Sequence, residues 1–154
     1  MKIVLINPPT GFSYNPELSI SYPLGLMYIA ATLEEKGLAV KIIDFVSDQN
    51  VRHIEKVIAK NNADIFGISV ITDNRSMAFS IVNIIRRIHR NSRIVLGGIH
   101  PTLFYKQILN TIDVDAIFLG ESELSFLRYV TEFNVAKNDL LNIPGVAFRD
   151  ASMI

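Results

Sequence analysis

Five short apolar runs punctuate the chain: Ile3 to Ile6, Val40 to Ile43, Ile65 to Val70, Ile94 to Leu96 and Ala116 to Leu119. They are rich in β-branched residues and do not alternate polar with apolar, the pattern of strands buried on both faces of a parallel sheet. Between them the period changes. Met77, Ile81, Ile84, Ile85 and Ile88 fall at i, i+4, i+7, i+8 and i+11, one face of a helix. Asp73 or Asn74 is placed to cap its start, and Arg86, Arg87 and Arg90 lie in its last turns, where cations suit the dipole. A first helix is expected from Pro23 to Gly37, because proline is favoured at the first helical position and glycine stops a helix. Val51, Ile54 and Ile58 mark a second helix, Phe104 and Ile108 a fourth, and Leu124, Leu127 and Val130 a fifth. Strand then helix, five times over, predicts a three-layer α/β domain with right-handed crossovers, and "NIPGVAFRD" adds a short sixth strand at Val146 to Phe148. No repeat, low-complexity segment or second domain is visible, so residues 1–154 read as one domain.

Composition narrows the function classes. Hydrophobic residues are 49% and charged residues 19% of the chain, which is the balance of a packed globule. Fifteen basic residues offset fifteen acidic ones, and with no basic stripe nucleic acid is not expected as a partner. The chain has no cysteine, which excludes disulfides, thiolate catalysis, zinc-thiolate sites and any iron–sulfur cluster held by this chain itself. No apolar run approaches a membrane span, and "MKIVLINPP" lacks a signal peptide's cleavage pattern, so the expected location is cytoplasmic, away from membranes.

In an open parallel sheet the ligand lies at the carboxyl ends of the strands, where strand order reverses. The informative residues therefore follow each strand: Asn7-Pro8-Pro9-Thr10-Gly11, then Ser69-Val70-Ile71-Thr72, then Gly97-Gly98-Ile99-His100, then Gly120-Glu121. The first of these loops is unusually long for a connection of this type. Four familiar sites fail the test. A dinucleotide fold needs G-x-G-x-x-G after the first strand, but "NPPTGFSYNP" has one glycine and two prolines that donate no N–H. The P-loop pattern is absent, and so is the G-x-S-x-G elbow of hydrolases. A phospho-acceptor domain needs acidic residues where this chain has Asn7 and Ser69. Nor does the first loop have the run of hydroxyls and amides that holds a flavin phosphate.

The ordered set "NPP", "YPLGLMYIAATLEEKG", "DIFGISVIT", "VLGGIHPT" and "IFLGESE" resembles the cobalamin-binding domain, in the form that precedes the catalytic domain of radical S-adenosylmethionine enzymes. The resemblance covers nearly the whole chain and implies a flavodoxin-like fold, a doubly wound sheet with strand order 2-1-3-4-5. It implies a corrin ring across the carboxyl edge and a nucleotide tail entering a cleft beside the central strands. It places Pro9, Thr10, Ser69, Val70, Ile71, Thr72, Gly97, Gly98, Ile99, His100, Gly120 and Glu121 at the cofactor, with no catalytic and no metal-ligating residue. Ser69-Val70-Ile71 looks like the family's Ser-x-Leu element and Gly97-Gly98 like its glycine pair, which together line the tail's channel. Two absent side chains make room for a planar base, and the Ser69 hydroxyl is suited to bond its ring nitrogen.

One element departs from the wider family. Many cobalamin domains have Asp-x-His-x-x-Gly after the first strand, and here that loop has no histidine before His53. The resemblance then implies a base-off cobalamin with no histidine on cobalt. It also implies an absent downstream domain holding a [4Fe–4S] cluster and S-adenosylmethionine, acting as a methyltransferase or cyclase, with this chain excised ahead of it. A stand-alone cobalamin carrier and a cofactor-free docking domain of the same fold remain open. Plainer roles stay open for single residues too. Gly97-Gly98 also suits a tight strand-to-helix turn, and His100 before Pro101 suits a helix start with its ring on the backbone. Ser69 suits a strand-end amide, and Glu121 and Glu123 suit a first helical turn. His53 and His89 are expected to face solvent, Tyr14 and Tyr22 to pack within the long loop, and Asp113 and Asp115 to lie at the surface.

Overall fold

A computed structural model describes residues 1–10, 22–46, 48–132 and 142–149. Six strands form one sheet: β1 (Ile3–Asn7), β2 (Val40–Asp44), β3 (Ile65–Ser69), β4 (Arg93–Gly97), β5 (Ala116–Phe118) and β6 (Val146–Ala147). The spatial order is β2-β1-β3-β4-β5-β6. The first five are mutually parallel, and β6 runs antiparallel beside β5. A parallel pair needs a crossover, and helices supply each one. They are α1 (Leu24–Glu34), α2 (Val51–Lys60), α3 (Arg75–Ile88), α4 (Ile99–Thr111) and α5 (Glu123–Thr131).

The chain winds both ways from β1, so the helices cover both faces. Leu26, Ala30 and Leu33 of α1 and Phe126, Tyr129 and Val130 of α5 join Leu5, Ile65 and Val95 in one core. The other core holds Ile54 and Ile58 of α2, Ile81 and Ile85 of α3 and Ile108 of α4, against Ile6, Phe66 and Leu96. Strands walled on both sides need apolar residues at every position, which is why β1 and β3 read as unbroken runs. Helix α1 stops as expected. Gly37 takes φ +73°, its N–H bonds the Glu34 carbonyl at 2.9 Å, and Leu38 N–H reaches the Leu33 carbonyl at 3.1 Å.

Several local expectations change. Helix α5 buries Phe126, Tyr129 and Val130, whereas Leu124 is 77% exposed. The ring of Phe118 decides this face, meeting Phe126 edge-on at 5.2 Å and Tyr129 at 5.4 Å between centroids. Helix α4 bends at Phe104 (φ −119°), which leaves Phe104 exposed while Ile108 and Leu109 pack inward. His89 is half-buried: its ring meets Phe66 in a tilted arrangement at 5.3 Å, and its Nε2 lies 3.0 Å from the Ile58 carbonyl. Tyr22 is 70% exposed, while Tyr14 lies outside the described residues. Arg90 falls beyond the end of α3. Asp113 and Asp115 are exposed, as expected, but engaged. Asp115 accepts from Arg86 at 2.6 Å and from the Ile94 N–H at 2.7 Å, and Asp113 lies 3.2 Å from Arg86.

The α5 assignment is testable by urea unfolding. Phe126→Ala should cost about 3–5 kcal/mol as a buried aromatic truncation. Leu124→Ala should stay within about 0.5 kcal/mol, as an exposed site does. The reverse ranking would place Leu124 on the core face.

Candidate functional site

Ser69 and Gly97 end β3 and β4 and are register partners. Side chains alternate along a strand, so Ser69 shares a face with Gly67, whose neighbours are Leu5, Val95 and Phe126. The Ser69–Gly97 pair therefore opens on the α1–α5 side at the carboxyl rim. Among the described residues no hydrogen bond engages the Ser69 hydroxyl, so it does not serve a strand-end amide.

The two glycines are there for different reasons. Gly98 has φ +103°, and an added Cβ would lie 2.6 Å from the Val70 carbonyl oxygen. No L side chain fits that approach, so the fold itself requires glycine at position 98. At Gly97 φ is not in the left-handed region, and among the described residues an added Cβ meets nothing nearer than Phe118 Cβ at 4.0 Å. The fold makes no demand there. Of the pair, Gly97 is the one whose missing side chain the described fold does not require.

The loops around this pair are tightly joined. Val70 N–H donates to the Gly97 carbonyl at 2.8 Å, and His100 N–H donates to the Val70 carbonyl at 3.2 Å. Asn74 stands at the N-cap position of α3 but does not cap it; the side chain is turned back onto the exit of β3. Thr102 accepts the Gly120 N–H at 3.0 Å and donates to the Gly98 carbonyl at 2.9 Å, tying the β4 and β5 exits together. Sequence reading gave Asn74 a capping role that it does not have, and passed over Thr102. The hydroxyl following His-Pro was the only trace of the second.

His100 is 8% exposed, and Pro101 is the third residue of α4, not the first. Its ring lies between Phe79 and Phe104, with centroids at 6.3 and 4.9 Å. Nδ1 lies 3.3 Å from Thr72 Oγ1, so the ring contacts a side chain and not the backbone. Burial, and then the nearby Arg75 guanidinium, lower its pKa and favour the neutral imidazole. His53 is exposed, 3.7 Å from Asp48.

The remaining candidates border the same edge. Pro9 is buried and the Thr10 carbonyl accepts from Gln49 at 3.1 Å. Ile71, Thr72, Ile99 and Glu121 are exposed, and Glu121 precedes α5 instead of lying in its first turn, which Glu123 occupies. Among the described residues, every large exposed apolar side chain except Met1 lies in the first half of a helix or in a loop leaving a strand. Tyr22, Leu24, Met27, Tyr28, Ile71, Ile99, Leu103, Phe104 and Leu124 thus crowd the carboxyl edge. The amino edge is charged. Two cavities there, about 370 and 260 Å³, are lined by residues such as Lys2, Lys41 and Lys60, and Arg93, Asp113 and Arg149. They lie away from every candidate residue. No group of three or more metal-ligating side chains occurs among the described residues, and no helix there is long and apolar enough to cross a membrane.

The model of the B12 binding domain matches residues 18–130. The chain belongs to that family. It is 32% identical to the cytidylyl-2-hydroxyethylphosphonate methyltransferase of Streptomyces wedmorensis, across 97% of this chain and 31% of the relative. With the anaerobic magnesium-protoporphyrin IX monomethyl ester cyclase of Rubrivivax gelatinosus the identity is 30%, across 85% of this chain and 24% of the relative. The chain therefore spans a third or less of these curated relatives. The fold matches the radical S-adenosylmethionine methyltransferase TsrM from Kitasatospora setae, solved with cobalamin and a [4Fe–4S] cluster bound. There the TM-score is 0.80 and the identity 18%, over 98% of this chain and 27% of that one. It also matches the cobalamin-dependent radical enzyme OxsB at TM-score 0.78 and 21% identity, over 98% of this chain and 21% of that one.

The B12-binding domain's glycine pair is open to a simple test. Gly98→Ala should destabilise the domain by at least about 1–3 kcal/mol through backbone strain and contact with Val70. Gly97→Ala should leave denaturant stability within about 0.5 kcal/mol. Equal losses would mean that both glycines serve the fold alone.

His100 gives a pH signature. A histidine whose folded pKa lies below its unfolded value of about 6.5 binds fewer protons when folded. Its stability is complete above pH 6.5 and is lost as pH falls from there through the folded pKa. Thermal melts between about pH 5 and 8 should show this slope diminished in His100→Gln. An identical slope in both proteins would mean that His100 titrates normally.

Proposed function

We propose that this B12-binding domain holds cobalamin over its carboxyl edge, with the nucleotide tail between the exits of β3 and β4. The observation that carries the reading is the Ser69–Gly97 pair: a hydroxyl with no protein partner among the described residues, beside a glycine that the fold does not require. These residues fit the group. Ser69 would hydrogen-bond the base of the tail, and Gly97 would give the base room to lie flat. Gly98 keeps the β4 exit against Val70, and Thr102 fixes the Gly120 loop alongside. The crowded apolar rim would cover the corrin ring and the next domain, excluding water from both. Bound cobalamin supplies a redox-active cobalt suited to methyl transfer.

Two observations support a base-off cobalamin without a histidine on cobalt. The first loop has no histidine, and the His100 ring is occupied between two phenylalanines and Thr72. In the whole protein the domain would precede a radical S-adenosylmethionine domain, as the methyltransferase and cyclase names of its relatives suggest. The [4Fe–4S] cluster and S-adenosylmethionine would belong to that domain, since this chain has no cysteine to ligate iron. Rim residues Thr10, Ile99 and Glu121 would face it.

Titration with hydroxocobalamin, desalting and an absorption spectrum test the proposal. The chain should emerge coloured and base-off. Ser69→Ala should weaken binding roughly tenfold to a hundredfold, since a buried ring nitrogen left unpaired costs about 1–3 kcal/mol. A folded but colourless protein would favour the cofactor-free docking domain. Electron paramagnetic resonance of the Co(II) form should show no protein nitrogen on cobalt. Nitrogen splitting that disappears in His100→Ala would overturn the histidine-free assignment.

A further inference from the structure

Asn74 is 2% exposed at the start of α3, where an asparagine ordinarily accepts an N–H from the helix's first turn. Here it makes no such bond. Its Oδ1 accepts the Ile71 N–H at 2.9 Å, and its Nδ2 donates to the Ser69 carbonyl at 3.4 Å. The intervening backbone is also satisfied, with Val70 N–H on the Gly97 carbonyl and Val70 carbonyl on the His100 N–H. Every backbone polar group from the Ser69 carbonyl to the Ile71 N–H is therefore paired without the Ser69 side chain.

That arrangement has a competitor. A serine hydroxyl readily accepts the N–H two residues on, and for Ser69 that N–H belongs to Ile71. Asn74 already occupies it. We infer that Asn74 is a positioning residue: by taking the Ile71 N–H it keeps Ser69 Oγ from turning back onto its own backbone, and so leaves the O–H oriented to donate to a ligand. The inference deepens the cobalamin reading and rests on it for the identity of the ligand. The clasp itself belongs to the free chain.

Two measurements on the 154-residue chain separate these claims. The first needs no cofactor. Amide hydrogen exchange of Ile71 should be slow in the wild type and unchanged in Ser69→Ala. Asn74→Ala should keep part of the protection, because Ser69 takes over, and Ser69→Ala/Asn74→Ala should lose it. Fast Ile71 exchange in the free wild type would overturn the clasp, and so would equal exchange in Asn74→Ala and the double variant. The wild-type reading stands even if Asn74→Ala does not fold. The second measurement is a double-mutant cycle on hydroxocobalamin affinity. Asn74→Ala should weaken binding by about the same factor as Ser69→Ala, roughly tenfold to a hundredfold, and the double variant no further. Losses that multiply, or wild-type affinity in Asn74→Ala, would show that Asn74 does not act through Ser69. Failure of the wild type to hold hydroxocobalamin would sink the cobalamin reading and leave the exchange data to decide the clasp.

Discussion

The close approach of the β4 exit to Val70 sets everything at the carboxyl edge. The Gly98 position lies so near the Val70 carbonyl that a Cβ there would come to 2.6 Å, and the Gly97 carbonyl takes the Val70 N–H at 2.8 Å. One residue of β3's exit is thus held from both sides by the exit of β4. The parallel register Ser69↔Gly97 extends to the last residue of each strand, instead of fraying where the ladder stops. Loops usually vary in position because their backbone groups are left to water. Here the groups from the Ser69 carbonyl to the Ile71 N–H are bound within the protein, so Ser69 and His100 stand on a hydrogen-bonded frame.

The two edges of the sheet divide the work. At the amino edge Arg86 reaches the Asp113 and Ser92 carbonyls and the Asp115 carboxylate, and Asp115 in turn receives the Ile94 N–H. Charged groups partly exposed to water contribute modestly, but as a network they fix where β4 and β5 begin. At the carboxyl edge large exposed apolar side chains gather beside polar ones such as Thr72 and Glu121, and nothing in the domain's own core needs the apolar ones there. Apolar residues dispersed over a surface mean little, whereas a rim of them along one edge marks a surface that is covered in use. Helix α1 shows the same division within one element: Leu26, Ala30 and Leu33 face the core, while Leu24, Met27 and Tyr28 face outward.

Strands were legible because a doubly covered parallel strand leaves an unbroken apolar run, and their order only through the family resemblance. Helix faces were less so. In nine residues, α5 presents two interleaved apolar sets, Leu124/Leu127/Val130 and Phe126/Tyr129/Val130, and helical spacing does not choose between them. The choice is made by Phe118 on a different strand, which no local pattern records. His89 was misplaced for a related reason, since the Ile58 carbonyl and the Phe66 ring that hold it come from elsewhere in the chain. At the site, Gly97-Gly98 was visible as a motif but its two functions were not. A pair of identical letters merged a backbone requirement with a vacated side chain, and only the distances to Val70 and Phe118 part them. Asn74 was seen and given the role that asparagine ordinarily has before a helix, whereas burial turned it to the strand exit instead.

The same frame bears on what this domain does not decide. Relatives that align with nearly this whole stretch are called methyltransferases in some cases and cyclases in others. A domain common to different reactions is expected to carry what they share. The features that define the candidate site here are of that kind: backbone hydrogen bonds, two glycines, one serine hydroxyl and a neutral histidine packed between phenylalanines. None selects a substrate. On the proposed reading they would fix a depth and a direction for a bound group, and the groups that discriminate between reactions would have to face that group across the apolar rim. Selection for different chemistries would then act on the opposite wall, while changes at Ser69, Asn74, Gly97 and Gly98 would affect all of them alike.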